Sequence, residues 1–180
     1  MNEDIPPVSF HGRLNVVHML RSTHQHHVQL SIMADQKANI LMGAAFLVLT
    51  VAISRMQSAG VSAGLLVLSI FTLAAAACAL MAVMPSIPKK KHIQPNTPHY
   101  NPLFFSFYSR QSFEEYYEHM ETLIKKDETI FKTILNDIYQ LGQVLQHKKY
   151  RYLGYSYRIF LIGMLLSVLL IIGELSLGYL

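Results

Sequence analysis

Three long runs without a charged side chain dominate the pattern of polar and apolar positions: Ala38–Ser54, Val61–Met84 and Ile159–Gly173. The first lies between Lys37 and Arg55. At about 1.5 Å per residue it covers roughly 26 Å, short of a hydrocarbon core of roughly 30 Å, but both flanking cations can snorkel to the interface. The second run ends at Pro85 and Pro88. The third is followed by Glu174 and then Leu175–Leu180, and it completes a crossing with the tyrosines that precede it. The pattern predicts transmembrane helices at 38–54, 61–84 and 159–180.

The remaining segments also carry helical spacing. From Gly12 the apolar positions Leu14, Val17, Leu20, Val28 and Ile32 run into the first span, with no glycine or proline between residues 13 and 42. A cytoplasmic helix over 12–37, continuous with the span and preceded by a flexible segment 1–11, is expected. Five prolines between Pro85 and Pro102 mark a linker. The aromatic cluster Asn101–Tyr108 should pack on neighbouring helices or lie at the membrane surface. Ser112 with Glu115 forms a capping box that opens a short helix. A second helix starts near Asp127, and Phe131, Ile134, Ile138, Leu141 and Leu145 form a coiled-coil-like seam that continues straight into the third span. The fold class is therefore an all-α membrane protein: three transmembrane helices, long cytoplasmic extensions over 12–37 and 85–158 forming a stalk, and assembly as a homo-oligomer.

Composition agrees with this reading. The chain has 180 residues, 52% hydrophobic and 14% charged, with a mean hydropathy of +0.28, whereas soluble domains carry nearer a quarter charged. No cleavable signal peptide is expected, because Met1–Val8 is acidic and proline-bearing. The single Cys78 excludes an intrachain disulfide and a cysteine-rich zinc site. With Arg13, Arg21 and Lys37 inside, the Arg55–Gly60 turn lies outside, Lys89–Arg158 returns inside and the C-terminus ends outside. That places fourteen of the fifteen Lys and Arg residues on the cytoplasmic face of an inner membrane. Topology thus accounts for the basic pI of 9.2 before any anionic partner is invoked.

Candidate chemistry is sparse. Gln36, Asn39, Gly43, Thr50 and Ser54 share one face of the first span, and Ser156, Gly163, Ser167, Glu174 and Gly178 one face of the third. Small, weakly polar stripes suit either close helix packing or a pore formed by several copies. Asn39, Gly43, Thr50, Ser54 and Glu174 are the pore-lining candidates. His24 and His27 lie one turn apart but lack a fixed third or fourth ligand, so a polar or pH-sensitive helix face is expected rather than a metal. Glu114, Glu115, Glu118 and Glu121 read as solvated charge. With no phosphate loop, no HExxH and no nucleophile setting, the chain is not expected to be an enzyme, and no cofactor is called for. The segment His147–Arg158 interleaves cations with tyrosines, a mix that suits both lipid anchoring and a nucleotide site.

Met33-Ala-Asp-Gln-Lys-Ala-Asn-Ile-Leu41 resembles the Ala-Asp-x-Lys-Ala-x-x-Leu signature of the Pycsar effector transmembrane family. Asn101-Pro-Leu-Phe-Phe105, Asp137–Gly142, Leu145 and Lys148-Lys-Tyr150 resemble its later blocks in the same order. The motif residues are Asp35, Lys37, Asn101, Phe105, Asp137 and Tyr139. The resemblance implies a bacterial antiphage effector that damages the inner membrane on a nucleotide signal. Such effectors often add a cyclic-nucleotide-binding domain, for which this chain is expected to have no room. In that respect it resembles the membrane effector of the Hailong defence system, with a partner nucleotidyltransferase or cyclase supplying the ligand. The expected assembly is a homo-oligomer, a tetramer by preference, with membrane lipid around it. A nucleotide or single-stranded oligonucleotide would gate it at His24, His27, Lys148, Lys149, Arg151 and Tyr152. The rival is a non-conducting membrane anchor that recruits a cytoplasmic signalling enzyme.

Overall fold

A computed structural model describes residues 10–85 and 100–178. Most of the segment expected to be flexible at 1–11, and Lys89, Lys90 and Lys91 of the linker, lie outside the described residues. The described residues form six α-helices: α1 Phe10–Ala59, α2 Ala63–Val83, α3 Phe105–Tyr108, α4 Phe113–Ile124, α5 Asp127–Val144 and α6 Arg151–Ser176. A π-helical turn, Leu145–Tyr150, joins α5 to α6. The three helical stretches Leu14–Ala59, Ala63–Val83 and Asp127–Ser176 are each long and apolar enough to cross a membrane. This is a helical membrane protein.

The chain divides into two compact units, one comprising Met1–Gln29 with Ser86–Gln143, the other Leu30–Pro85 with Val144–Leu180. In the first unit, α4 opens on the predicted capping box. Ser112 Oγ accepts from the Glu115 N–H at 3.2 Å, and Glu115 Oε2 accepts from the Ser112 N–H at 3.0 Å. Asp127 and Glu128 occupy the first turn of α5, where the helix dipole favours carboxylates. The seam residues of α5 turn inward, with Ile138 buried, while Leu135 and Tyr139 off the seam are exposed. The aromatic cluster lies against α5 through its polar atoms as much as its rings. Asn101, Pro102 and Ser106 are buried, and the Tyr100 ring meets Phe107 and His119 edge-on at 5.9 and 5.1 Å.

The second unit is built on small residues. Ala34, Ala38, Leu41, Ala45 and Ala52 repeat along α1 at three-, four- and seven-residue steps and are all buried. Ala34, Ala38 and Leu41 form, with Ala79, Ala82 and Leu153, the core that Met42, Val83, Tyr152 and Phe160 cover. In lipid there is no water to expel between helices, so close approach of backbones does the work that bulky side chains do in soluble cores. Two glycines show how close it is. A Cβ at Gly163 would overlap the Phe71 Cβ, and one at Gly64 would stand 2.5 Å from Ile171 Cγ1. Buried Ser156 donates from Oγ to the Ala75 carbonyl at 2.7 Å, a direct tie between α6 and α2.

Two details differ from the pattern-based expectation. Helix α1 continues through Arg55 to Ala59, so the turn at 55–60 contracts to Gly60–Ser62. Met56–Ala59 carry no helix breaker, whereas Gly60 takes φ +92°, which ends the helix. The run from α5 into α6 is likewise not a straight α-helix. The π turn widens the coil, so the eight-residue step from Leu145 to Leu153 covers about the two turns that a seven-residue step covers in an α-helix. Both leucines are buried on that account.

Candidate functional site

The polar groups at the ends of the spans are mostly paired inside the chain. Within the second unit, the π turn carries adjacent lysines to different helices. Lys149 Nζ donates to both carboxyl oxygens of Asp35, at 2.7 and 2.6 Å, and to Ser31 Oγ at 2.7 Å. Only 17% of the Lys149 side chain is exposed, against 35% of Asp35. Lys148 Nζ donates to the Met84 carbonyl, a cation on one of the unpaired acceptors at the end of α2. Tyr150 and Tyr157 donate their hydroxyls to the Leu30 and Lys37 carbonyls at 3.3 and 3.4 Å. Arg151 is exposed, with its guanidinium 5.9 Å from the Tyr155 ring centroid. Tyr152 packs on the alanine core.

Asn101 and Asp137 form the corresponding node of the first unit. Asn101, 1% exposed, donates from Nδ2 to Asp137 Oδ1 at 2.7 Å and to Gln140 Oε1 at 3.3 Å. Its Oδ1 accepts from the Leu103 N–H at 3.0 Å. His24 Nε2 stands 3.3 Å from Asp137 Oδ2. His27 sits beside Gly142, its Nδ1 buried and without a hydrogen-bond partner. Phe105 and Tyr139 are exposed, and so is Lys37. Among the described residues no group of three or more His, Cys, Asp or Glu side chains is arranged to hold a metal ion.

The ligand-contact candidates therefore divide: His24 and His27 belong to the first unit, and Lys148, Lys149, Arg151 and Tyr152 to the second. Sequence reasoning named Asp35, Lys149, Asn101 and Asp137 but not their pairing. Ser31 and the Met84 carbonyl were not named at all. Asp35 lies three residues before the first apolar run and Lys149 ten before the third, both on the predicted cytoplasmic side, which is the one signal that could have joined them.

The two small-polar stripes part company. On α6, Ser156, Gly163 and Ser167 are buried, and the first two meet residues of α2 directly. At the far end Glu174 Oε1 accepts from the Ala63 N–H at 2.7 Å and, with Ser62 Oγ accepting from the Leu65 N–H at 3.2 Å, caps α2. Its Oε2 is buried without a hydrogen-bond partner. Ser156, Gly163 and Ser167 are thus an internal seam, Glu174 caps α2 at its end, and Gly178 beyond it is exposed. On α1, by contrast, Gln36, Asn39, Gly43, Thr50 and Ser54 are all outside the buried core. They lie about half a helical turn from the buried alanines, and nothing stands within 4 Å of a Cβ built at Gly43.

A family model described as the Pycsar effector protein domain matches residues 18–173. No curated protein and no solved structure matches the chain. The match takes in the second candidate membrane helix whole, all but the outer ends of the first and third, and both polar nodes, and the chain belongs to that family.

Proposed function

We propose that this member of the Pycsar effector family is the membrane effector of a bacterial antiphage defence system: an oligomeric channel gated by a nucleotide or short DNA oligomer. Its opening dissipates the potential of the inner membrane and arrests growth. Family membership supports the defence role. The observation that carries the channel is the weakly polar stripe of α1. A span whose packed face is alanine and whose opposite face sets Asn39, Gly43, Thr50 and Ser54 in a line among exposed Ile40, Phe46 and Leu47 offers copies of the chain a weakly polar strip to share.

Three spans are too few to enclose a pore, so the reading requires several copies, a tetramer by preference. Each would set α1 toward the axis, with its N-terminus cytoplasmic and its C-terminus periplasmic. Two helical runs, α1 and α5–α6, are each shared between the two units. A ligand that prefers one packing of the first unit would bias both runs and hence the spans. A partner nucleotidyltransferase or cyclase supplies the signal.

The test is depolarisation. Cells carrying the protein with its neighbouring operon are infected with phage and followed with a voltage-sensitive dye. The expected result is a collapse of potential that Gly43→Phe abolishes. Protection that persists without depolarisation identifies a non-conducting membrane anchor for a signalling enzyme instead.

A further inference from the structure

The first unit contains an apolar cleft with a few polar groups on its lining. Val17 and Leu20 of α1 face Phe131 and Ile134 of α5 across a half-open cleft of about 230 Å³, and Leu103 contributes a further apolar wall. Polar groups are confined to three side chains on its lining, Arg21, His24 and Asp137. Asp137 is held in place by Asn101 at 2.7 Å and stands 3.3 Å from His24, with lone pairs to spare. Arg21 is exposed and forms no hydrogen bond or ion pair among the described residues.

We propose that this cleft seats a nucleobase, with Asp137 accepting from an exocyclic amine and Arg21 meeting the phosphate. Three features of the cleft select that ligand class. Its volume is below the roughly 300–1,000 Å³ of pockets that enclose whole ligands, which leaves room for one ring system and keeps the rest of the ligand outside. Its walls are aliphatic apart from the Phe131 ring, a surface for stacking a flat heterocycle. Its polar groups are one oriented acceptor, the His24 imidazole beside that acceptor, and one unpartnered guanidinium, the planar donor fork suited to phosphate. An anionic lipid would satisfy the guanidinium but has no flat donor-bearing ring for Phe131 and Asp137. The site rests on the nucleotide-gated reading above and gives it a location that the interfacial lysines, already paired, do not.

The probes are AMP, IMP, which lacks the amine, and adenosine, which lacks the phosphate. Each is titrated onto the full-length chain in phosphatidylcholine nanodiscs. AMP is expected to bind saturably, and IMP and adenosine each about tenfold or more weaker, the usual consequence of leaving a charged partner unmatched. Arg21→Gln should lower AMP affinity by about tenfold and leave adenosine unchanged. Val17→Trp, which fills the cleft from a position 47% exposed and so leaves the fold intact, should abolish AMP binding. Circular dichroism melting of both variants should match the parent.

No saturable AMP binding, or AMP binding unmoved by Val17→Trp, overturns the site. So does competition by phosphatidylglycerol with AMP and IMP bound alike, which makes the cleft a lipid site. Depolarisation that survives Val17→Trp removes this site and leaves the gated channel standing. A parent chain that binds AMP but never depolarises cells removes the channel and leaves the site.

Discussion

Lys149 and Asp35 are the polar pair in the second unit on which removal of one partner should tell most. Their contact is bidentate, Ser31 supplies a further acceptor, and the lysine is largely covered. Asp35→Asn leaves the ammonium half-satisfied in a poorly solvated place and should cost about 1–3 kcal/mol. Thermal unfolding in detergent measures it. In a double-mutant cycle, Lys149→Met should cost markedly less on the Asp35→Asn background than on the parent, and equal costs would mean the two do not interact. This pairing also changes what charge reversal at Lys149 would report. A loss of oligonucleotide binding in that variant is expected to come with a lowered melting temperature, because the lysine is a tie within the unit. Glycines give a second contrast at this scale. Gly163→Ala forces a Cβ onto the Phe71 Cβ and should destabilise by about 1–3 kcal/mol. Gly43→Ala meets open space and should leave stability unchanged or raise it by up to about 1 kcal/mol, from helix propensity alone.

At the scale of elements, most of the secondary structure was legible before the fold. Apolar period and the Ser112–Glu115 box are local signals, and local signals survive in the folded chain, whereas the charge pattern puts the first helix's stop at Arg55 rather than at Gly60. The π turn was not legible. Leu145 to Leu153 can be read as a continuing α-helix, and only the demand that both leucines be buried widens the coil. Nor could the sequence say which small-polar stripe packs inside the chain. That choice belongs to α2, whose Ala75 carbonyl takes the Ser156 hydroxyl and whose Phe71 needs the space at Gly163. Pairings such as Asp35–Lys149 and Asn101–Asp137 join blocks far apart in the chain, so the family resemblance and the cation–tyrosine segment marked the residues while geometry chose the partners. The π turn makes its own prediction. One alanine inserted after exposed Gln146 rotates α6 by about 100° relative to the chain before it and should turn Ser156 and Gly163 off α2. Deleting Gln146 lets the turn relax to an α-helix with the same phase. Melting in detergent should fall sharply for the insertion and far less for the deletion; equal losses would show that the turn does not set the phase.

At the scale of the whole molecule, the α1 stripe decides between a conductor and an anchor, and bulk added there separates them. Substituting Phe at Gly43 places a ring where the single chain has nothing within 4 Å, so folding of one copy is not obstructed. If copies set α1 around an axis, several such rings converge at one level of the pore. A channel should then lose conductance in planar bilayers while its monomer melts as before. A neighbouring exposed position of α1 supplies the control. Val51 is 62% exposed, and Val51→Phe, to one side of the stripe, adds comparable bulk where lipid is the expected neighbour. Conductance lost at position 43 and kept at position 51 places the stripe at the axis. Equal loss at both points to a general effect on assembly, and conductance kept at both returns the stripe to lipid or to a contact between copies that encloses no water. The same pair of variants bears on the ligand, because a blocked pore should still bind nucleotide with unchanged affinity if the two units carry separate tasks.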